Sequence, residues 1–258
     1  MIESSSPQLA SSRGRSQFLA PVGRVFFKLR DLLFPLVFFA LVLASEPRLF
    51  LGSERWDRAL DAFGIAVALS GQLLRAAVIG LAYIRRGGKN KQVFADALVQ
   101  EGFFAHSRNP LYLGNFLALV GFCLIHNSPL CYLVGIPFFA FAYLAIVEAE
   151  EEYLGRKFGA EYEEYRRRVP RFLPTLKGLG ATFNSMEFDW RRLVRKEYGS
   201  TFAGLSSIFA VLLWDESVRH GLAGVRGMLP VTLGVWAALA CAYLAARYLK
   251  KTGALGTD

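Results

Sequence analysis

Six apolar stretches alternate with polar and charged segments along the chain. They cover residues 32–44, 60–84, 111–125, 130–147, 199–214 and 229–249. An apolar helix of about 20 residues crosses the hydrocarbon core of a bilayer, and shorter stretches can do so where amphipathic flanks extend them or the bilayer thins. The pattern therefore predicts an all-α fold, a polytopic bundle of about six transmembrane helices, with a cytoplasmic helical segment after the fourth span.

Composition and charge agree with a membrane protein. The chain has 258 residues, of which 53% are hydrophobic, and a formal net charge of +9. Lys and Arg total 23 in the segments before the first span, between the second and third, between the fourth and fifth, and after the sixth, against five in residues 46–58, 126–129 and 215–227 together. Because basic residues are retained on the cytoplasmic side, we expect a multi-pass protein of a bacterial inner membrane with both termini in the cytoplasm. The basic surplus is then an orientation signal with an attraction for anionic lipid, rather than a nucleic-acid surface.

The same pattern divides the chain into three parts. Residues 1–31 are predicted to be a Ser-rich leader, disordered to about residue 17, followed by an interfacial helix that mixes Phe with Arg and Lys. Residues 32–176 form a core with spans one to four, and residues 177–258 contain an interfacial loop and two additional spans. Since neither additional span is expected to bury a charge, we assign both to packing or to a lipid-facing wall. The three cysteines have no paired spacing and no nearby His cluster, which predicts neither a disulfide nor a metal site.

A helix start with an adjacent arginine opens the third span. In Arg108-Asn109-Pro110, asparagine can cap the helix and proline at the first helical position loses no needed donor. Arg108 then lies beside unpaired N–H groups and the positive end of the helix dipole, where an anion is favoured. The anion is either a bound ligand or a lipid phosphate.

A run of carboxylates stands where the fourth span returns to the same membrane edge. Pairs at the i,i+4 spacing of a helix are Glu152–Arg156, Glu163–Arg167 and Glu164–Arg168. Glu150 and Glu151 lack such partners, so they either are a solvated acidic helix end or bind a cation from elsewhere. With Arg108 for a carboxylate, these two for an ammonium and Phe103, Phe104 and Tyr112 for stacking, the group suits a zwitterion that carries an aromatic base.

Two further polar positions need an explanation. Arg75 lies well inside the second span, where a charge costs about 2.5 to 3.5 kcal/mol on insertion scales unless it faces a partner or a wet cavity. It either snorkels, pairs with a carboxylate, or faces substrate together with Gln72, one turn away on the same face. His126 falls in the turn between the third and fourth spans, and we expect a loop residue rather than a catalyst.

Several short motifs occur in a fixed order over about residues 71–174. They are Gly102; Arg108-Asn109-Pro110-Leu111-Tyr112-Leu113-Gly114; the pair Glu150-Glu151; Phe158-Gly159 with Tyr162 and Tyr165; and Val169-Pro170. In this order they resemble the isoprenylcysteine carboxyl methyltransferase and phospholipid methyltransferase superfamily of membrane-embedded, S-adenosylmethionine-dependent enzymes. Asn109 departs from the histidine that is usual there. The resemblance implies cofactor-binding roles for Gly102, His106, Arg108, Asn109, Pro110, Tyr112, Glu150 and Glu151.

The resemblance also implies the reaction. We expect methyl transfer from S-adenosylmethionine to a lipophilic acceptor from the bilayer, a phospholipid amine or an isoprenoid-type carboxylate. Arg75, Arg108 and Glu151 are the expected catalytic residues, and Gln72 with Arg75 the substrate-binding ones, with no metal and no nucleic-acid partner. The alternatives are S-methylation of a small thiol and a noncatalytic membrane scaffold of the same fold. No GxGxxG motif after a strand, P-loop or HExxH motif supports another cofactor chemistry.

Overall fold

Helices dominate the fold, with one short β-hairpin between two of them. The computed structural model describes the backbone of residues 7–81, 86–89 and 92–256, and the side chains of residues 18–81 and 95–256. Within these ranges the helices are α1 Pro7–Leu43, α2 Glu54–Leu81, α3 Pro110–His126, α4 Ile136–Phe158, α5 Ala160–Arg168, α6 Leu179–Asn184 and α7 Trp190–Lys251. Strands β1 Arg86–Lys89 and β2 Gln92–Ala95 pair antiparallel, with Arg86 opposite Ala95. The prediction of an all-α membrane bundle is confirmed, and the hairpin adds to it.

Helices α2 and α3 pack most closely, because glycines face each other where they cross. A Cβ atom on Gly71 would lie 2.4 Å from the carbonyl oxygen of Gly114, and one on Gly121 would lie 2.5 Å from that of Gly64. Small residues that let two backbones approach are typical of helix pairs in membranes. Helix α1 packs mainly against α4, and α7 packs across α2 and α3. The bundle thus has two groups of helices, α1 with α4, and α2 with α3 and α7.

Helix α7 is a helical hairpin rather than one straight rod. Its backbone breaks at Gly221, with φ 60° and ψ −148°, a conformation that glycine tolerates. The rings of Tyr198 and Tyr243 lie 5.1 Å apart, although 45 residues of unbroken helix would separate them by about 70 Å. Lys250 Nζ also donates to the carbonyl of Arg195, at 3.3 Å. The arms before and after Gly221 therefore run antiparallel and correspond to the fifth and sixth predicted spans.

The described residues include three helices that are long and apolar enough to cross a membrane. They are Glu54–Leu81, Cys131–Phe158 and Trp190–Lys251, and Pro110–His126 is a shorter apolar helix. The second of these joins a π-helical turn at Cys131–Gly135 to α4. The protein is an integral membrane protein, while the count of six spans and the division into parts at residues 31 and 176 stay predictions.

The expected leader needs a correction, because α1 begins at Pro7 and continues through the interfacial segment into the first span. Residues 7–17 are therefore helical rather than disordered, since a helix once nucleated gains one hydrogen bond per added residue. The first six residues lie outside the described part of the chain. So do residues 82–85, 90–91 and 257–258.

The interpretation of His126 as a loop residue is wrong. It is the last residue of α3 and fully buried. Its Nδ1 lies 2.7 Å from Asp215 Oδ1 on α7, and its Nε2 lies 2.9 Å from Ser45 Oγ, just after α1. Asp215 is also buried, but it follows the predicted fifth span, 199–214, and neither that span nor the sixth, 229–249, buries a charged side chain. His126 joins three helices at the end of the bundle opposite Arg108.

Candidate active site

Two distant parts of the sequence, before α3 and after α4, are joined by side-chain and backbone hydrogen bonds beside the site. Gly102, at φ 61°, opens a 3₁₀ turn that leads into α3, a backbone angle that favours glycine. The hydroxyl of Tyr165 donates to the carbonyl of Phe104 at 2.7 Å. The N–H of Arg108 donates to the carbonyl of Pro170 at 2.9 Å. The motifs at residues 102–114 and 158–170 are thus one structural unit.

Arg108 and Glu151 form a buried ion pair in this unit. Arg108 Nε lies 3.4 Å from Glu151 Oε1, and both side chains are about nine-tenths buried. The second carboxylate oxygen of Glu151 lies 3.3 Å from Arg171 Nε, and Arg171 Nη2 lies 2.5 Å from Glu148 Oε2. Burial by itself lowers the pKa of Arg171, but the Glu151 and Glu148 carboxylates outweigh it, so the pKa of Arg171 is raised. The cation that Glu151 required is therefore supplied by two arginines.

Asn109 binds this carboxylate instead of capping α3. Pro110 is the first residue of the helix, as predicted, but the Asn109 side chain makes no cap hydrogen bond. Its Nδ2 donates to Glu151 Oε1 at 3.0 Å and to the carbonyl of Arg171 at 3.1 Å. The capping interpretation is wrong. A cap side chain accepts a hydrogen bond through its oxygen, whereas the Asn109 side chain is oriented by the two hydrogen bonds that its Nδ2 donates, one of them to a buried carboxylate.

Glu150 points away from this ion pair, as expected for successive residues on a helix. The Tyr112 hydroxyl donates to Glu150 Oε1 at 2.6 Å. Arg30 Nη1 in turn donates to the Tyr112 oxygen at 3.2 Å. A neighbouring carboxylate, Glu152, makes the predicted pair with Arg156 and a second with Arg24 at 3.1 Å.

The other two predicted helix pairs differ. Glu163 pairs with Arg166 at 3.3 Å instead of with Arg167. Arg168 donates to Gln100 Oε1 at 2.8 Å. These exposed side chains bind whichever partner is nearest, so the spacing rule predicts them less well than the buried groups.

A cavity of about 480 Å³ begins at Glu150 and Tyr112 and lies between the two helix groups. Arg30, Asn109, Tyr112 and Glu150 line its polar end. Further in, it is lined by Gln72, Arg75 and Asn115. Its apolar body is formed mainly by Phe34, Phe38, Phe39, Leu119, Phe122 and Phe139. The cavity therefore has a polar end beside the ion pair and an aromatic interior within the bundle.

Only some of the predicted cofactor-binding residues line this cavity. Of the predicted cofactor-binding set, Asn109, Tyr112 and Glu150 line it. The remaining members are not among its lining residues and are Gly102, His106, Arg108, Pro110 and Glu151. Asn109 is the link, because it lines the cavity and also binds Glu151.

Arg75 is paired across the bundle. Its Nη2 and Nε lie 2.6 and 3.0 Å from the two carboxylate oxygens of Glu197 on α7, and its Nη1 donates to Asn115 Oδ1. Gln72 Nε2 donates to Thr201 Oγ1, also on α7, at 2.8 Å. The buried partner of Arg75 was missed from the sequence because it lies 122 residues away. Arg75 and Gln72 do line the cavity, so their predicted substrate role stays a prediction.

Three other residues of the predicted site have structural contacts. Phe103 and Phe104 are buried in an apolar cluster with residues of α2, and Phe103 packs edge-on to Phe183 at 5.2 Å. Both are core residues here, so the base-stacking role inferred for them loses its support. His106 Nδ1 lies 2.8 Å from the carbonyl of Thr175, and Nε2 lies 2.9 Å from Thr182 Oγ1. Its ring connects the loop before α3 to α6.

Comparison with known proteins covers this part of the chain. Residues 61–161 match the family model described as phospholipid methyltransferase. The protein-S-isoprenylcysteine O-methyltransferases of Xenopus laevis and Homo sapiens are 31% and 30% identical, over 46% of this chain and 42% and 43% of their own lengths. Residues 61–161 are therefore similar to the phospholipid and isoprenylcysteine methyltransferase superfamily.

A second type of relative has a different description. The cobalt-zinc-cadmium resistance protein CzcN of Cupriavidus metallidurans is 33% identical over 143 residues, which are 52% of this chain and 59% of that protein. The chain spans about half the length of the curated relatives it matches. No solved structure matches it. Among the described side chains, no three His, Cys, Asp or Glu residues come together as metal ligands, and the expected absence of a metal stays a prediction.

The superfamily segment does not contain the whole site. Residues 61–161 contain the Arg108–Glu151 ion pair and the polar residues Gln72 and Arg75 of α2. Arg30, Arg171 and Glu197 lie outside this segment, yet they contact Tyr112, Glu151 and Arg75 within it. Flanking parts of the chain therefore complete a site whose centre is shared with the superfamily.

Proposed function

We propose that the protein is an integral membrane methyltransferase that transfers a methyl group from S-adenosylmethionine to a lipophilic acceptor, a phospholipid amine or an isoprenoid-type carboxylate. The observation that supports this most is the cavity. Asn109, Tyr112 and Glu150 of the matched segment line its polar end together with Arg30 from outside that segment, and an aromatic lining extends from there into the bundle. Such a cavity suits an amphiphile whose polar group is at the reacting end and whose tail lies among apolar side chains.

The charged groups beside the cavity fit a zwitterionic methyl donor. Arg108 would hold its carboxylate, and Glu151 its ammonium, while Glu150 lies at the cavity boundary. Arg108 and Glu151 now neutralise each other at 3.4 Å. A zwitterion inserted between them replaces one ion pair by two and leaves the net charge of the buried group unchanged, so no uncompensated charge is created.

S-adenosylmethionine supplies an electrophilic methyl carbon, to which the acceptor's lone pair bonds as the carbon–sulfur bond breaks and the sulfonium becomes a neutral thioether. The role of the protein is to align the partners and to exclude water. Asn109 and Tyr112 have polar groups at the boundary and can orient the acceptor head. Phe34, in edge contact with Phe139 at 5.4 Å and Tyr143 at 5.2 Å, belongs to the apolar wall that keeps the reacting end dry.

The proposed location follows from the same arrangement. A cytosolic cofactor must reach the ion pair, so we propose that this end of the bundle faces the cytoplasm and that both termini lie there, in a bacterial inner membrane. The acceptor would enter from the bilayer. The distribution of Lys and Arg supports this orientation.

A labelled-methyl experiment tests the function. The full chain in detergent is incubated with S-adenosylmethionine carrying a labelled methyl group and a total membrane-lipid extract, and the label is followed into the organic phase. Label in a lipid is the expected result. Label only in added small thiols would favour the thiol alternative. No label, and no binding of S-adenosylhomocysteine in a titration, would leave the scaffold alternative.

A further inference from the structure

The first arm of α7 closes one side of the cavity. Ser200, Ala203, Gly204 and Ser207 line it. Their spacing of three and four residues places them on one face of the helix. This arm lies outside residues 61–161, the part that matches the superfamily. One wall of the cavity is therefore formed by a C-terminal region that the family model does not cover.

Polar contacts of Glu197 and Thr201 hold the N-terminal end of this wall against α2. Glu197 accepts two hydrogen bonds from Arg75, at 2.6 and 3.0 Å, and a third from Ser200 Oγ at 2.7 Å. Thr201 accepts one from Gln72 at 2.8 Å. Charge-assisted, bidentate contacts of this kind hold two helices in a defined register. The face that follows, from Ser200 to Ser207, is therefore positioned against the cavity.

Gly204 differs from the glycines that the helix crossing requires. A Cβ atom on Gly204 would lie 3.7 Å from Gln72 Oε1, an ordinary van der Waals contact, and a Cβ on Gly71 or Gly114 would approach a backbone oxygen to 2.4 or 2.8 Å. Gly204 sits in a regular helical segment. Neither packing nor backbone conformation explains its missing side chain, which instead leaves free volume in the cavity beside Gln72.

We propose that the α7 face formed by Ser200, Ala203, Gly204 and Ser207 determines which acceptors fit, by setting how long and how bulky an apolar chain the cavity accepts. This inference rests on the proposed function and deepens it. The apolar chain would lie along this face, between α7 and the phenylalanines of α1. The polar head would remain at Asn109 and Tyr112, where the superfamily residues are.

The test uses Gly204→Leu, with Gly204→Ala as a milder change and Gly234→Leu as the control. Gly234 lies on the second arm of the same hairpin, is exposed, and has nothing within 4 Å of an added Cβ. The full chain in detergent is given n-alkylamines, n-alkanethiols and n-alkanoic acids from hexyl to hexadecyl. Two readouts are recorded: transfer of labelled methyl, and displacement of a fluorescent fatty-acid probe. Affinity for S-adenosylhomocysteine is measured in parallel.

We expect Gly204→Leu to lose about tenfold or more in both readouts for the longest chains, since one methylene of misfit in an apolar pocket already discriminates by tenfold or more. The shortest chains and S-adenosylhomocysteine should bind as in the unchanged protein. Gly204→Ala should shift the profile in the same direction by less, and Gly234→Leu should not shift it.

Two outcomes separate this inference from the proposed function. If the displacement profile of Gly204→Leu matches that of Gly234→Leu, the inference is overturned, whatever the transfer results are. If the displacement profile shifts but no variant transfers methyl to any acceptor or lipid, the chain-length role of α7 stands and the methyltransferase proposal fails. A uniform loss of every chain length together with S-adenosylhomocysteine binding would mean general disruption and also overturns the inference.

Discussion

Replacing Arg75 by leucine removes one half of a buried ion pair. The Arg75 side chain is 14% exposed and that of Glu197 is 5% exposed. In Arg75→Leu the Glu197 carboxylate would remain inside the bundle without its bidentate partner. Removing one member of a buried pair typically costs about 3 to 5 kcal/mol, because the other charge stays desolvated. Ser200 Oγ still donates to Glu197, so we expect a loss at the lower end of this range, about 3 kcal/mol.

The double variant Arg75→Leu, Glu197→Leu tests whether the loss of stability comes from the unpaired carboxylate of Glu197. Exchange of a buried ion pair for apolar residues of similar size is often neutral or stabilising. We therefore expect the double variant to recover most of the stability that Arg75→Leu loses, and Glu197→Leu alone to be destabilised like Arg75→Leu. A double-mutant cycle on the three variants gives the coupling energy directly.

Unfolding free energies of the purified protein in detergent, followed by denaturant titration, provide the measurement. An Arg75→Leu variant as stable as the unchanged protein would refute the pairing. The double variant also tests the predicted substrate role, since it folds without Arg75. If Arg75 orients the acceptor, turnover should fall or the acceptor's KM should rise while affinity for S-adenosylhomocysteine is unchanged. Normal transfer to an accepted lipid would end the substrate assignment of Arg75.

Three other predictions test separate parts of the structure. Glu151→Gln should weaken S-adenosylhomocysteine binding by about tenfold or more, and Glu152→Gln much less, because only the former removes a buried charge-assisted contact; equal losses in a binding titration would contradict the ion-pair site. His126→Ala leaves the buried Asp215 carboxylate without its hydrogen-bond partner and should lower the unfolding free energy by about 1 to 3 kcal/mol, so unchanged stability in denaturant would argue against that pair. In a chain without its exposed native cysteine, Leu222→Cys at the α7 hairpin tip should react with an impermeant thiol reagent from the side opposite to Gly180→Cys, and labelling of both from one side would disprove the α7 hairpin as two spans.

The sequence correctly predicts that Arg108 and Glu151 lie at the same edge of the bundle, because their placement depends on short-range rules. A proline at a helix start placed Arg108 at the beginning of α3, and an antiparallel return of the next span placed Glu151 at the same edge. The structure joins the two at 3.4 Å. The apolar stretches likewise identify the membrane helices, but each stretch is shorter than the helix that it overlaps. The helices continue past them, so that the predicted loop at residues 215–227 reduces to a break at Gly221.

Short-range rules could not predict contacts between segments that are far apart in the sequence. A charge inside a span signals that a partner exists, but nothing near Arg75 in the sequence indicates that the partner is Glu197. His126 looks like a turn residue because its neighbours are Asn127 and Ser128, and its burial depends on α1 and α7 packing over it. Phe103 has an aromatic ring that could stack on a base, but it lies buried in the apolar core. Local patterns identify the chemical groups, whereas tertiary packing decides which of them face a ligand.

The division of the cavity between shared and flanking segments has a consequence for the acceptor. Asn109, Tyr112 and Glu150 lie in the part that matches the superfamily, whereas the α1 residues of the apolar body and the α7 face lie outside it. The matched relatives share about half of their length with this chain, so the residues outside the shared part need not be those that line the cavity here. The polar groups beside the ion pair can remain the same while the walls change, because the two sets make separate contacts. We therefore expect superfamily members with the same motif but different flanking helices to use one methyl donor on different acceptors.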